Sequence, residues 1–182
     1  MQKKSINDYY KPAEDTLFIS DYLKNEKGTS ALDIGTGSGF LAQVLSENFK
    51  LVMATDIDFS ASKKAHEVIE NCVCCNAADA VNKNFDLIVC NLPYLPSNEL
   101  LDPTVDGLKE GVEIPYVIIK SASQRIRKGG KLVILTSSLA NHTKLIEIIK
   151  SQGFDVRVAG KKKLFFEELI LLECIKTNTP DE

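Results

Sequence analysis

The chain has 182 residues, a formal net charge of −3, 44% apolar residues and 26% charged residues. That length supports one domain with a sizeable core and is short for two, and the charge gives no blanket attraction to nucleic acid or to an anionic membrane. No apolar run approaches the ~20 residues that span a bilayer, and the N-terminal MQKKSINDYYKPAED lacks the apolar core of a signal peptide. The cysteine count is odd, five, with Cys72, Cys74 and Cys75 crowded together. Without an export signal these read as reduced thiols of a cytosolic protein. The only histidines, His66 and His142, join no ligand-like cluster, so no metal site is expected.

In chain order, residues 1–28 read as an opening segment and a helix. EDTLFISDYLKNEKG has helical spacing, with Leu17, Phe18, Tyr22 and Leu23 on one face and Gly28 as the stop. SALDIG (30–35) is a short strand, SGFLAQVLSENF (38–49) a helix opening at a glycine turn, and LVMATDID (51–58) a second strand. SASKKAHEVIEN (60–71) is a helix with Ser60 as its cap. CVCCNAAD (72–79) and FDLIVCN (85–91) are the third and fourth strands. IPYVIIKSASQRIRKGG (114–130) is a helix closed by glycine, and KLVILTSS (131–138) is a fifth strand. NHTKLIEIIKSQGF (141–154) is the last helix; its NHT matches a glycosylation sequon and reads more simply as a helix cap. Residues 154–176 hold two strands in a hairpin.

Apolar strands alternating with helices imply a parallel sheet covered on both faces. The closing hairpin is too short for a parallel crossover, so its last strand must run antiparallel. The expected fold is a single α/β domain over 1–182. It is a Rossmann-like open sheet, mostly parallel, with one antiparallel strand near the C-terminal edge.

The loop LDIGTGSGF joins the first strand to the first sheet helix, where ligands of open α/β sheets bind. Gly35, Gly37 and Gly39 give G-x-G-x-G, so the dinucleotide fingerprint fails at its third glycine, where Phe40 stands. Asp33 precedes the loop and suits a cationic ligand better than a pyrophosphate. Asp56 ends the second strand, where a carboxylate can grip ribose hydroxyls, and Asp79 follows the third. Three acids at one edge fit a cofactor with a ribose, an adenine and a cationic centre, such as S-adenosyl-L-methionine. No G-x-S-x-G elbow exists, and KGGK lacks the remainder of a P-loop.

After the fourth strand the chain delivers Asn91, Leu92, Pro93 and Tyr94. The Asn91 side-chain oxygen and the Leu92 carbonyl are two acceptors, and Pro93 limits how that carbonyl moves. Two acceptors aimed at one point suit an –NH2 group, and Tyr94 can lie against a planar one. This geometry favours methylation of a planar nitrogen by in-line displacement, driven by proximity and charge placement.

DIGTGSG, TDID and NLPY, in that order, resemble the HemK-type branch of class I S-adenosyl-L-methionine-dependent methyltransferases. YKPAEDT resembles the opening segment of its archaeal and eukaryotic members, and the likeness runs from Tyr10 to Lys176. Bacterial members carry an extra helical domain for which this chain is too short, so the short archaeal/eukaryotic type is expected. The resemblance implies methylation of the glutamine in the Gly-Gly-Gln loop of a class I translation release factor, in the cytoplasm. It places Thr16, Asp33 and Gly35 at the methionine end of the cofactor, with Gly37 and Asn91 also among the residues that bind it. Asp56 would hold the ribose, Asp79 and Ala80 would frame the adenine, and Asn91, Leu92, Pro93 and Tyr94 would receive the amide. Leu92 stands where the family has its first proline, which keeps the carbonyl and loses some rigidity.

The short family also pairs with a small zinc-binding activator protein. In the usual strand order the third strand is a sheet edge, and Asn71–Ala78 carries no charge. Such an edge either accepts a partner strand or is covered by its own loops. The basic RIRKGGK and GKKK are contacts for RNA or for an acidic face of a protein substrate or, more simply, solvated helix ends and turns. Rival readings are a nucleic-acid amino-methyltransferase, a non-catalytic cofactor-binding scaffold and a nicotinamide oxidoreductase.

Overall fold

The computed structural model describes residues 13–97 and 106–177, so Tyr10, Lys11 and Pro12 of YKPAEDT lie outside the described residues. The elements in order are α1 (Glu14–Leu23), β1 (Gly28–Ile34), α2 (Phe40–Ser46), β2 (Phe49–Asp56), α3 (Phe59–Ala65), β3 (Cys72–Cys74) and β4 (Phe85–Asn91). Two short strands follow, β5 (Leu95–Pro96) and β6 (Asp106–Leu108), then a 3-10 turn (Lys109–Gly111). The chain closes with α4 (Glu113–Ser123), β7 (Ile126–Ser137), α5 (His142–Ser151), β8 (Phe154–Lys163) and β9 (Glu168–Lys176).

Seven strands form one sheet in the order β3-β2-β1-β4-β7-β9-β8. All pairings from β3 to β7 are parallel, whereas β9 runs antiparallel to both β7 and β8. The expected fold class is therefore the observed one. Alternate residues of the central strands feed two cores, as the pleat requires. Ile88 and Cys90 pack with Ile119 of α4 and Leu145 and Ile149 of α5. Leu87 and Val89 pack with Ile19 and Leu23 of α1 and with Leu41 and Leu45 of α2.

Several boundaries differ from expectation, each for a local reason. Gly28 does not stop α1; it opens β1, and a Cβ there would meet the Phe49 ring at 2.7 Å. The buried face of α1 is Ile19, Ser20 and Leu23, while Leu17 is 37% exposed. The cap of α3 is Asp58, which accepts from the backbone N–H of Ser60 at 2.6 Å, so Ser60 is capped rather than capping. β3 is three residues long because the chain then turns away, with Ala77 at φ 44°. The glycines of RKGG do not close α4: Gly129 (φ 71°) sits in a bulge of β7 opposite the register shift between Phe85 and Leu87. Asn141 does cap α5, its side chain accepting from Lys144 N–H at 3.1 Å.

Strand order reverses around β1, with β2 on one side and β4 on the other. The loops after β1 and β4 therefore flank the switch point, where open α/β sheets bind ligands. Among the described residues no helix is long and apolar enough to cross a membrane.

Candidate active site

The glycine loop is pinned to the end of β2. The N–H groups of Gly35 and Thr36 both donate to the Thr55 carbonyl, at 2.8 and 3.0 Å. Its glycines divide into two jobs. Gly35 (φ +73°) and Gly37 (φ +56°) have no atom within 4 Å of where a Cβ would stand, so both face open space. Gly39 (φ +84°) lies against α3, where a Cβ would come within 3.2 Å of the Ala65 Cα.

Asp33 is 1% exposed beneath this loop. Its Oδ2 accepts from the Thr36 hydroxyl at 2.7 Å and from Ala42 N–H at 3.1 Å, while its Oδ1 is buried with no partner. Burial pushes its carboxyl up to about 6, against the opposing pull of those two hydrogen bonds. Asp56 accepts from Gly37 N–H at 2.8 Å through Oδ2 and from Asp58 N–H at 2.9 Å through Oδ1. Each oxygen keeps a second lone pair for a hydroxyl donor. Asp79 and Ala80 are exposed beyond β3. Asp79 accepts from the Ser121 hydroxyl of α4 at 2.7 Å.

Asn91 ends β4 and points its amide nitrogen at Asp15 in the first turn of α1, Nδ2 to Oδ2 at 3.0 Å. With the nitrogen committed, Asn91 Oδ1 is buried and has no partner. Thr16 is held by the same carboxylate, its N–H at 2.5 Å and its hydroxyl at 3.1 Å from Asp15 Oδ1. Asp15 thus joins Thr16 to Asn91, a link that sequence reading misses. The only local signal is the acidic pair ED, which reads equally well as a helix-dipole partner.

Leu92 is 2% exposed and packs in the core, and its N–H donates to the Leu135 carbonyl at 3.3 Å. A proline could not make that bond, so this chain ties the motif to β7 by a different route. Burial first, then the charges of Glu167 and Asp15, raise the Tyr94 pKa far above the usual phenol range. Burial likewise raises the Cys90 thiol, helped by Asp33 and Asp56. Neither group is a ready nucleophile at neutral pH. Behind the motif, the 106–112 segment is tight: Leu108 and Glu110 have φ 60° and 57°, and Gly111 packs against the Tyr94 carbonyl.

The residues present fit S-adenosyl-L-methionine. Two orphaned buried oxygens, Asp33 Oδ1 and Asn91 Oδ1, flank a backbone cradle open at Gly35 and Gly37. An open sheet of this order, with acids and a glycine loop at its switch point, is that of the class I methyltransferases. The chain belongs to the methyltransferase small domain family, whose sequence model matches residues 13–165. It is an enzyme of the S-adenosyl-L-methionine-dependent methyltransferase type, as the resemblance implies.

A Methanocaldococcus jannaschii protein, provisionally named a protein N5-glutamine methyltransferase, is 32% identical over 178 residues, covering 91% of this chain and 90% of that one. A ribosomal RNA small subunit methyltransferase C of Enterobacter is 26% identical, covering 73% of this chain and 38% of its own. Among solved structures, the E. cuniculi Mtq2–Trm112 complex, described as responsible for methylation of the eRF1 termination factor, matches with a TM-score of 0.77 at 24% identity. That match covers 93% of this chain and 99% of the other. The T. thermophilus 16S rRNA N2 G1207 methyltransferase, solved with AdoMet and guanosine, has a TM-score of 0.68 at 18% identity, covering 93% and 45%.

Proposed function

We propose that the chain methylates the side-chain amide of the glutamine in the Gly-Gly-Gln loop of a class I translation release factor. The observation that carries this reading is Asn91: its nitrogen is held by Asp15 and its buried Oδ1 is free to accept. The relative named a glutamine methyltransferase, which aligns over nine-tenths of both chains, supports it.

When bound, S-adenosyl-L-methionine supplies a methyl group on a cationic sulfur. Asp33 Oδ1 offers that cation's end an unpartnered acceptor, beside Thr16, Gly35 and Gly37, and Asp56 holds the ribose. Asp79 and Ala80 border the adenine. Asn91 Oδ1 and the Leu92 carbonyl each accept one N–H of the substrate amide. That grip draws the nitrogen lone pair out of conjugation and aims it along the line of transfer. Tyr94 stacks on the amide plane as a neutral phenol, and Pro93 fixes the backbone. The methylated nitrogen loses its proton to the Leu92 carbonyl or to water, so no strong base is required. A small zinc-binding partner adds a strand at β3, an uncharged sheet edge; the Mtq2–Trm112 complex supports the existence of a partner, and the uncharged edge its place.

A second reading, methylation of an exocyclic amine of RNA, draws on the ribosomal RNA methyltransferase relatives. One experiment separates the two. Methyl transfer to a purified archaeal-type release factor, and to small-subunit ribosomal RNA, is read by mass spectrometry with and without the zinc-binding partner. The expected product is methylation confined to the loop glutamine, lost when that glutamine is replaced and reduced roughly 100-fold or more in Asn91→Ala. Transfer to RNA alone would establish the second reading. No transfer to either, with the cofactor shown to bind, would point to a non-catalytic role.

A further inference from the structure

The β8–β9 hairpin ends in two phenylalanines that the fold does not use. Leu164 N–H donates to the Glu167 carbonyl at 2.8 Å, closing a tight turn with Phe165 and Phe166 at its corners. They are 91% and 86% exposed, and their rings meet edge to face with centroids 4.6 Å apart. Turn corners favour Gly, Pro, Asn, Asp and Ser for backbone reasons that phenylalanine does not share. Two neighbouring apolar rings in water gain nothing for the free chain, beyond their contact with each other.

The turn is stiff and stands beside the site. Glu168 N–H donates to Ser138 Oγ at 3.0 Å and Ser138 N–H to the Glu168 carbonyl at 2.9 Å, which locks the hairpin to the end of β7. Lys162 reaches Glu14 of α1 at 3.2 Å, next to the Asp15 that holds Asn91. β9 leaves the turn paired to the same end of β7 that holds the site, with Leu169 opposite Ser137 and Leu135 opposite Asn91. The turn therefore stands at the same end of the sheet as Asn91, where a macromolecule that delivers an amide can meet it.

We propose that Phe165 and Phe166 form the docking point for the protein substrate, inserting into an apolar surface beside the loop that is methylated; this rests on the protein-substrate reading above. The chemistry around the tip favours protein over RNA. Lys161 is paired with Glu168 at 2.7 Å and Lys162 with Glu14, so two of the three hairpin lysines are already neutralised. Phosphate contacts need open cations, which this turn is poor in. Rings packed edge to face suit a concave apolar pocket, as aromatic anchors of interfaces do.

The test is steady-state methylation of the intact release factor by Phe165→Ser, Phe166→Ser and the double variant, with cofactor affinity measured by calorimetry. Both side chains are exposed, so folding is retained, and melting temperatures check it. The expected result is a KM for release factor raised roughly tenfold or more in the double variant, with kcat within about twofold and cofactor affinity unchanged. Phe165→Tyr with Phe166→Tyr should restore most of the loss. An unchanged KM, or a loss matched by weaker cofactor binding, would overturn the docking role alone. Failure of the unsubstituted enzyme to methylate release factor would overturn the protein-substrate reading, and the docking role with it. Weaker RNA methylation in the serine variants, with no transfer to release factor, would assign the tip to nucleic acid and overturn it as well.

Discussion

A carboxylate sealed from water, with one oxygen lacking a donor, costs folding free energy whenever it is charged. Asp33 is in that position, 1% exposed and held at about 6. Its pKa lies above the unfolded value of 3.8, so the folded state binds the extra proton between the two values. Stability is therefore higher at acid pH and falls as pH rises from about 3.8 to about 6. The shift corresponds to ~3 kcal/mol at neutral pH, as an order of magnitude. Asp33→Asn keeps an acceptor for Thr36 and Ala42 and removes the charge. It should raise the melting temperature at pH 7–8, with no gain near pH 4, while cofactor affinity falls. A thermal melt across pH, paired with calorimetry, checks both halves; a variant that is no more stable at pH 7 would refute the account. At this scale the positions of Asp33, Asp56 and Asn91 are legible at the C-terminal ends of β1, β2 and β4. The Asp15–Asn91 bond spans 76 residues and has no local signature, so only the folded chain reveals it.

At the scale of elements, β4 is legible to the residue because an unbroken apolar run ends at a single amide followed by Leu-Pro. β3 is not, since an uncharged run does not disclose that Ala77 turns at φ 44° and ends the pairing at Cys74. The bulge in β7 escapes for a related reason: glycines near a helix end read as a stop, although here they let a strand shift register. The shortened β3 sharpens the partner prediction. Val73→Lys with Cys74→Lys puts two charges on this edge without touching the glycine loop. Co-purification with the small zinc-binding partner should be lost while cofactor affinity stays the same. Retained co-purification would place that partner elsewhere.

At the scale of the whole molecule, α1 is clasped to the far half of the sheet by Glu173 of β9. Its carboxylate accepts from the Tyr22 hydroxyl, from Arg157 Nε at 2.7 Å and from Lys131 Nζ at 3.0 Å; Lys131 also pairs with Glu26 at 2.6 Å. Burial alone would raise the Glu173 pKa, but these donors outweigh it and hold it at about 2. The folded value is below the ordinary 4.5, so this stabilisation is complete above 4.5 and is lost as pH falls toward 2. Glu173→Gln should cost about 2 kcal/mol at pH 7, read from urea denaturation, with the difference shrinking below pH 4.5. Equal stability at pH 7 would show that the clasp is ornamental to the fold.

The two ends of the sheet carry a last consequence. β3 and β8 are its opposite edges, six inter-strand steps of ~4.8 Å, or ~29 Å, apart. On the reading proposed above, a subunit added at β3 would stand at the edge opposite the β8–β9 turn, while Asn91 lies three strands from it. Such a subunit would leave the contact at the turn unaltered, so the Phe165 and Phe166 variants should raise the substrate's half-saturation by the same factor with and without it.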